Sequence, residues 1–214
     1  MAVLASGGAD SACLLEWAAA RTHGAVIPIY VSFGLRWESG ELKALRSYVR
    51  AAMKRIKNIR APVRLNMPAR DIYTGHWSLT GEGVPGGRSS DDAVYLPGRN
   101  LLIISKAAVY CARYRIKSIA IGTLAANPFS DATSDFFSSF SKLASTALGR
   151  RLQILAPFIE LTKSDLIRRY SYLPLHLCFS CLRPMGRTGH PCGRCNKCVE
   201  WRKAKRQLLT RADG

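Results

Sequence analysis

One junction near the start of the chain narrows the fold further than any other stretch. A short apolar run of strand length, AVLA at 2–5, leads into Ser6-Gly7-Gly8-Ala9-Asp10-Ser11. ACLLEWAAA at 12–20 follows, with helical period and good helix formers. A strand that turns through two glycines into a helix sets up an α/β unit, and ligands of open α/β sheets gather beyond the carboxyl ends of the strands.

The rest of the chain repeats that alternation. GAVIPIYVSF at 24–33, APVRLNMP at 61–68, SIAIGTL at 118–124 and LQILAPF at 152–158 read as strands. Helices are predicted at 41–56, 100–114, 135–148 and 162–170. The first of these places Leu42, Leu45, Val49 and Met53 on one face. The last opens with Thr162 at N-cap and Asp165 three positions on, close to a capping box. Residues 74–92, rich in Gly, Ser and Asp, read as a mobile loop. The expected fold is α/β, a parallel sheet with helices on both faces. No internal repeat or low-complexity linker is present. The expected division is an α/β domain over 1–175 and a small metal-binding tail over 176–214.

The glycine loop is built for anions. Two glycines allow a sharp turn and close approach, their N–H groups form a concavity, and the following helix N-terminus adds its dipole. Ser6 and Ser11 offer hydroxyls. Asp10 is the odd member beside phosphate, unless it caps the helix or faces Mg²⁺. The alternative is an ordinary glycine turn with an Asp or Ser cap. The spacing is neither GxxxxGK[ST] nor GxGxxG, which excludes a Walker loop and disfavours a dinucleotide site.

Thirty-two Lys and Arg oppose 14 Asp and Glu, a net charge of +18 on 214 residues. That excess suits nucleotide phosphates or nucleic acid, or else a strongly solvated surface. With 48% hydrophobic and 21% charged residues the balance is globular. No apolar run reaches the roughly 18–20 residues of a membrane span. The start MAVLASGGAD lacks a secretory n-region and h-region, so a cytoplasmic protein is expected.

Of seven cysteines, Cys13 and Cys111 sit alone, and Cys178, Cys181, Cys192, Cys195 and Cys198 crowd the last fifth of the chain. An odd count argues against a disulfide framework. Cys192-Gly-Arg-Cys195-Asn-Lys-Cys198 is a double CxxC whose thiolates converge on one tetrahedral ion. Cys181, Cys178, His190 and His176 are candidates for the fourth ligand. Free thiols, a redox CxxC and an iron–sulfur cluster are the alternatives to zinc. A four-thiolate zinc would take the net charge from +18 to about +16.

SGGADS resembles the signature of the PP-loop ATP pyrophosphatases, which cleave ATP between its α- and β-phosphates and activate an acceptor as its adenylate. Further motifs are similar to those of the 7-cyano-7-deazaguanine synthase (QueC) family. SCLRP followed by HPCGRCNKC resembles its zinc motif, LPGRNLL at 96–102 its PGRN motif, and APFIELTKSDLI at 156–167 its APxxxLTKxEI segment. FGLRWESGEL at 33–42 occupies the place of its YGQRHxxEL segment. The family's Gln and His are replaced here by Leu35 and Trp37. In Phe129-Ser130-Asp131-Ala132-Thr133 only the Asp of a Pro-Asp-Cys-Arg group survives.

The resemblance implies an adenine nucleotide α-hydrolase-like (Rossmann-like) fold and a carbon–nitrogen ligase. That enzyme would convert 7-carboxy-7-deazaguanine and ammonia to the nitrile through an adenylate and an amide, using ATP, Mg²⁺ and a structural Zn²⁺. The zinc ligands carried over are Cys181, Cys192, Cys195 and Cys198, with Cys178 surplus. Ser6, Gly7, Gly8, Ala9 and Ser11 would hold the nucleotide, with Asp10 capping the loop or holding magnesium. Arg99 and Lys163 would reach phosphate or carboxylate, or be solvated surface cations. Asn100 would anchor its loop or read a base edge. Phe33, Arg36, Trp37 and Asp131 would border the acceptor, with Phe33 stacking or packing in the core and Asp131 meeting the purine N–H edge or serving a turn. A homodimer is in keeping with the family. Two alternatives stay open within PP-loop chemistry: a tRNA-modifying thiolase or lysidine-type synthetase, and an enzyme that conjugates a deazapurine. A third, of another class, is a non-enzymatic zinc module that binds nucleic acid through the basic tail (Arg183, Arg187, Arg194, Lys197, Arg202, Lys203, Lys205, Arg206).

Overall fold

A computed structural model describes residues 1–186 and 189–209 of the chain. Arg187 of the basic tail and residues 210–214 lie outside the described residues.

Five strands, β1 (Ala2–Leu4), β2 (Ile27–Ser32), β3 (Val63–Asn66), β4 (Ser118–Ala120) and β5 (Gln153–Leu155), form one sheet in the order β3-β2-β1-β4-β5. Every pairing is parallel, with Leu4 beside Ile29 and Val3 beside Ala120. Among the described residues seven helices connect and flank the strands: α1 (Ala9–Arg21), α2 (Glu38–Arg55), α3 (Trp77–Thr80), α4 (Arg99–Arg113), α5 (Ser134–Ala147), α6 (Lys163–Arg169) and α7 (Asn196–Leu209). Residues of β1 and most of β2 are buried, as continuous apolar strands of a parallel sheet covered on both faces must be.

Strand side chains alternate between two cores. Ala2, Leu4, Ile29 and Val31 pack with Ile104 and Cys111 of α4 and Phe137 and Phe140 of α5. Val3, Ala5 and Tyr30 pack on the other face with Leu14 and Leu15 of α1, Leu45 and Tyr48 of α2, and Leu166 and Ile167 of α6. The expected α/β architecture with helices on both faces is the one observed. Strand order switches between β1 and β4: β2 and β3 lie on one side of β1, β4 and β5 on the other. The loops after β1 and β4 therefore flank a crevice at the carboxyl edge, the usual ligand site of such sheets.

Three local expectations are corrected. Helix α2 starts at Glu38 with Trp37 at its N-cap, three residues before the predicted start. Its buried face is Ala44, Leu45, Tyr48, Val49 and Ala52, whereas Met53 is 41% exposed. At about 100° per residue, Met53 is rotated about 80° from Leu45 around the helix axis. Residues 74–92, read as a mobile loop, contain α3, with the His76 side chain accepting from Ser78 N–H, and a 3₁₀ turn begins at Asp91. The capping expectation at α6 is met: Thr162 Oγ1 accepts from Asp165 N–H at 3.1 Å.

Candidate active site and metal centre

The SGGADS loop runs from the end of β1 into α1. Gly7 has φ +86°, and a Cβ there would overlap the carbonyl oxygen of Glu41 and lie 2.8 Å from Leu45 N. The loop thus lies flush against the backbone of α2, which only glycine permits. Ser11 Oγ accepts from Ser6 N–H at 2.9 Å and lies 3.2 Å from Ser6 Oγ, so the two hydroxyls brace the turn from within. Gly7 C=O accepts from Phe179 N–H at 2.9 Å, which joins the loop to the tail. The first-turn N–H groups of α1 have no intrahelical acceptor.

Asp10 does not cap α1: the N-cap is Gly8 and no side chain caps it. Its Oδ2 lies 2.7 Å from Lys163 Nζ, and Lys163 also approaches Glu200 at 3.8 Å, while Glu200 pairs with Lys197 at 2.7 Å. Burial works against the charge on Lys163, yet Asp10 and Glu200 hold its ammonium above the ordinary lysine value. Burial likewise opposes ionisation of Glu200, and Lys163 and Lys197 overcome it, so its carboxyl is held below the usual range. Asp10 Oδ1 is buried without a hydrogen-bond partner, as is Arg99 Nε. An orphaned carboxylate oxygen and an orphaned guanidinium donor at one cleft suit a bound cation and an anion respectively.

The cleft has a volume of about 290 Å³, and the glycine loop, Arg99 and Lys163, the Trp37 and Trp77 rings, and Phe179 to Leu182 of the tail all border it. A second hollow of about 190 Å³ opens over the carboxyl ends of β1, β2 and β4, lined by Ala5, Tyr30, Val31 and Gly122. Ser6, Asp10, Arg99, Asn100 and Asn127 border both. Ser6, Gly8, Ala9, Asp10, Arg99, Asn100, Asp131, Lys163 and Trp37 of the predicted site therefore come together, and Ser11 joins them at the second hollow.

Other predicted residues take different places. Phe33 has no solvent exposure, packs in the core beside the sheet, and does not line the cleft. Core packing, the alternative for an aromatic beside a strand, describes it. Arg36 is exposed and faces a separate depression with Ser39, Gly81 and Arg183, its guanidinium lying against Gly81. Asp131 borders the cleft, but its Oδ2 accepts from Asn100 N–H at 2.9 Å and its Oδ1 from Asn100 Nδ2 at 3.3 Å. It fixes the start of α4, which sets Arg99 in place, instead of presenting a free carboxylate to a purine edge. Asn100 is correspondingly an anchor.

The 33–37 segment owes its shape to Glu38, a buried acid. Glu38 accepts from Ser32 Oγ, Phe33 N–H and Gly34 N–H at 2.5, 2.6 and 3.0 Å. Leu35 and Trp37 are buried. Trp37 stacks on Trp77 with ring centroids 5.5 Å apart and planes 22° from parallel, so one wall of the cleft is a double indole. One turn along α2, Glu41 borders the cleft and accepts from Tyr30 Oη–H at 2.7 Å. Burial pushes the Glu41 carboxyl up to about 7, against the opposing pull of Arg99 and of the Tyr30 hydroxyl. Sequence reasoning missed Glu41, Trp77 and Glu200, and gave Lys197 to the basic tail of the nucleic-acid alternative and not to the cleft. Glu41 had a signal, an acid inside the matched 33–42 segment. Trp77 had none, in a polar loop. Lys197 and Glu200 are hidden among the cysteines they adjoin.

The tail brings Cys181, Cys192, Cys195 and Cys198 together, with all four Sγ within 4.8 Å of one another. Tetrahedral zinc with Zn–S of about 2.3 Å requires S···S of about 3.8 Å, so the donor set fits a metal ion after a small contraction. Backbone N–H groups of Leu182, Arg183 and Cys192 point at these sulfurs at 3.3 Å, which favours thiolates. Cys178 stands outside the cluster, packed in the second core, where burial pushes its thiol up to about 12. Among the described residues no helix is long and apolar enough to cross a membrane.

Comparisons with known proteins show the family and the fold. The model of a family described as queuosine biosynthesis protein QueC matches residues 1–209. The chain is 30% identical over 208 residues to 7-cyano-7-deazaguanine synthase 1 of Desulfitobacterium hafniense (strain Y51), covering 94% of this chain and 89% of the relative. It is 28% identical over 216 residues to the 7-cyano-7-deazaguanine synthase of Syntrophus aciditrophicus (strain SB), covering 96% and 92%. The Pyrococcus horikoshii protein of that name is 30% identical over 216 residues, covering 92% and 88%. A crystal structure described as a predicted subunit of tRNA methyltransferase from Methanocaldococcus jannaschii shares the fold, with a TM-score of 0.50 and 14% identity over 79% of this chain and 73% of that one.

Proposed function

The chain belongs to the family of queuosine biosynthesis protein QueC, and on that premise we propose that it is an ATP-dependent ligase converting 7-carboxy-7-deazaguanine and ammonia to 7-cyano-7-deazaguanine. The observation that carries the reading is the cleft itself: a glycine loop without a Walker lysine, at the sheet's switch point, faced by Arg99 and Lys163.

In this reading the adenosine lies in the hollow over β1, β2 and β4, and the phosphates lie on the loop and the first turn of α1. Asp10 and Lys163 orient the phosphate end. Arg99, whose Nε has no protein partner, takes an anionic oxygen of phosphate or acid. Mg²⁺, when bound, neutralises the triphosphate charge, and Asp10 is the residue to hold it. The acid attacks the α-phosphorus to give an adenylate and pyrophosphate. Ammonia displaces AMP to form the amide, and a second activation carries off the amide oxygen. Catalysis is positioning and charge stabilisation. Cys181, Cys192, Cys195 and Cys198 hold Zn²⁺, which ties the tail to the loop. Residues 1–175 then form the ATP-binding domain and 176–214 the zinc tail. A homodimer is compatible with this reading.

The Trp37–Trp77 wall favours a second reading, in which the acceptor or the amine is a relative of the usual one. Two apolar side chains stand where a Gln and a His would pair with polar groups, which costs discrimination of roughly 1–3 kcal/mol for each unpaired buried group. Mass spectrometry of product from ATP, ammonia and 7-carboxy-7-deazaguanine tests both. The nitrile with AMP and pyrophosphate is expected. ADP and phosphate as the sole nucleotide products would overturn the pyrophosphatase chemistry. AMP release only with another acceptor or amine would favour the second reading.

A further inference from the structure

Resting on the ligase reading, we propose that Glu41 is the catalytic base of the amide-forming step, taking the surplus proton from the ammonia nitrogen as it displaces AMP. The step balances without another reactant. The nitrogen lone pair forms the C–N bond, and the acyl C–O bond to AMP breaks with its electron pair leaving on AMP. One N–H proton passes to the Glu41 carboxylate, leaving the neutral amide and a carboxylic acid.

The carboxylates of the cleft can be separated by their partners. Asp10 is engaged by Lys163, and Glu200 is shared by Lys163 and Lys197. Both oxygens of Asp131 accept from Asn100. Glu38 takes three donors and does not line the cleft. Among the described residues of the cleft wall, Glu41 is the acid with neither a lysine partner nor an amide clamp. Its Oε2 accepts from Tyr30 on β2, which fixes its direction.

The groups facing Glu41 set its basicity in opposite senses. Burial and the Glu38 charge, on the same helix, raise its proton affinity. Arg99 from α4, the Tyr30 hydroxyl and the Trp37 indole lower it. The balance leaves a carboxyl up at about 7, where a proton acceptor is efficient near neutral pH. Position supports the role as well. Glu41 borders the same cleft as the glycine loop and Arg99, and its own backbone carbonyl is the atom against which Gly7 is packed. The base and the phosphate loop are thus fixed to one another.

The test separates adenylate formation from amide formation. Acid-dependent exchange of labelled pyrophosphate into ATP reports the first, and single-turnover amide formation across pH 5.5–9, at a fixed concentration of unprotonated ammonia, reports the second. Glu41→Gln is expected to keep exchange within about threefold of the parent, to lose about 10²–10⁴-fold in amide formation, and to lose the acidic limb of the pH profile. Hydroxylamine, whose nitrogen carries a more acidic proton than that of ammonia once it has added to the acyl carbon, should restore much of the rate. A melting temperature no lower than the parent's and full zinc content establish that the variant is folded, and Glu41→Asp, which keeps a carboxylate, should recover part of the amide rate and the acidic limb. Equal loss of exchange and amide formation in a folded variant, or an unchanged acidic limb, would overturn the proposal. Absence of exchange by the parent with any deazapurine acid would instead remove the ligase reading and the proposal with it.

Discussion

Two adjacent glycines in the phosphate loop are predicted to behave differently on replacement by alanine. Gly7 has φ +86°, and its new Cβ would strike backbone atoms of α2, the carbonyl oxygen of Glu41 and the nitrogen of Leu45, neither of which can swing aside as a side chain would. A left-handed conformation costs an L-residue about 1–2 kcal/mol. Forcing a methyl into packed surroundings adds about 1–3 kcal/mol. Gly7→Ala should therefore lose about 2–5 kcal/mol, a large share of the roughly 5–15 kcal/mol that holds a domain together. Gly8 has φ −77°, and its Cβ would meet Ser6 Oγ at 3.5 Å and Phe179 O at 3.6 Å, both ordinary contacts. Gly8→Ala should stay within about 1 kcal/mol of the parent. Equilibrium urea unfolding of both variants at one temperature decides the matter. If Gly7→Ala is no less stable than Gly8→Ala, α2 yields to the loop and the rigid coupling of loop to Glu41 is wrong.

Three further outcomes are expected. Serine at Cys181, Cys192, Cys195 or Cys198 should abolish binding of one zinc per chain by elemental analysis, whereas Cys178→Ala should retain it; iron and sulfide in the parent would contradict the assignment. Arg99→Ala should slow pyrophosphate release by about 10²-fold and Lys205→Ala by less than about twofold, since Lys205 is exposed and does not itself line the cleft, although the Trp201 ring it covers does; equal effects would remove Arg99 from the site. The stability of Glu41→Gln relative to the parent should depend on pH. Folding raises the Glu41 carboxyl to about 7, so the protonated form is favoured in the folded state, and its contribution is complete at acid pH and lost as pH rises through 7. The variant should gain up to about 3 kcal/mol on the parent between pH 4 and 8.5 by urea titration; a constant difference would deny the shift.

Features legible in the sequence were those settled by near neighbours. Strand and helix alternation, the SGGADS turn, the Thr162 cap and the CxxCxxC spacing each depend on residues within a few positions, and all four reappear in the structure. What the sequence left open or missed depends on distant partners. Phe33 stood between stacking and core packing until the sheet and α4 closed around it. Asp131 is a loop acid by sequence and a helix anchor through Asn100, 31 residues away. Glu41 is ordinary by composition; Tyr30 and the cleft wall make it unusual. Trp77 gained its place by stacking on Trp37, forty residues earlier.

The bond from Phe179 N–H to Gly7 C=O has a consequence for how the protein is made. The phosphate loop leaves the ribosome about 150–170 residues before its tie to the tail, the Lys163 partner of Asp10 and the Phe179 ring against Gly40. At about 5–20 residues per second, that interval is on the order of 10–30 s. Through it the nascent chain carries an unfinished glycine turn and a long loop still to be closed, which slows folding. A ribosome-bound chain halted before position 160 should therefore fail to retain ATP, and a pulse of limited proteolysis during synthesis should cut the 6–11 segment until the cysteine-bearing tail has emerged.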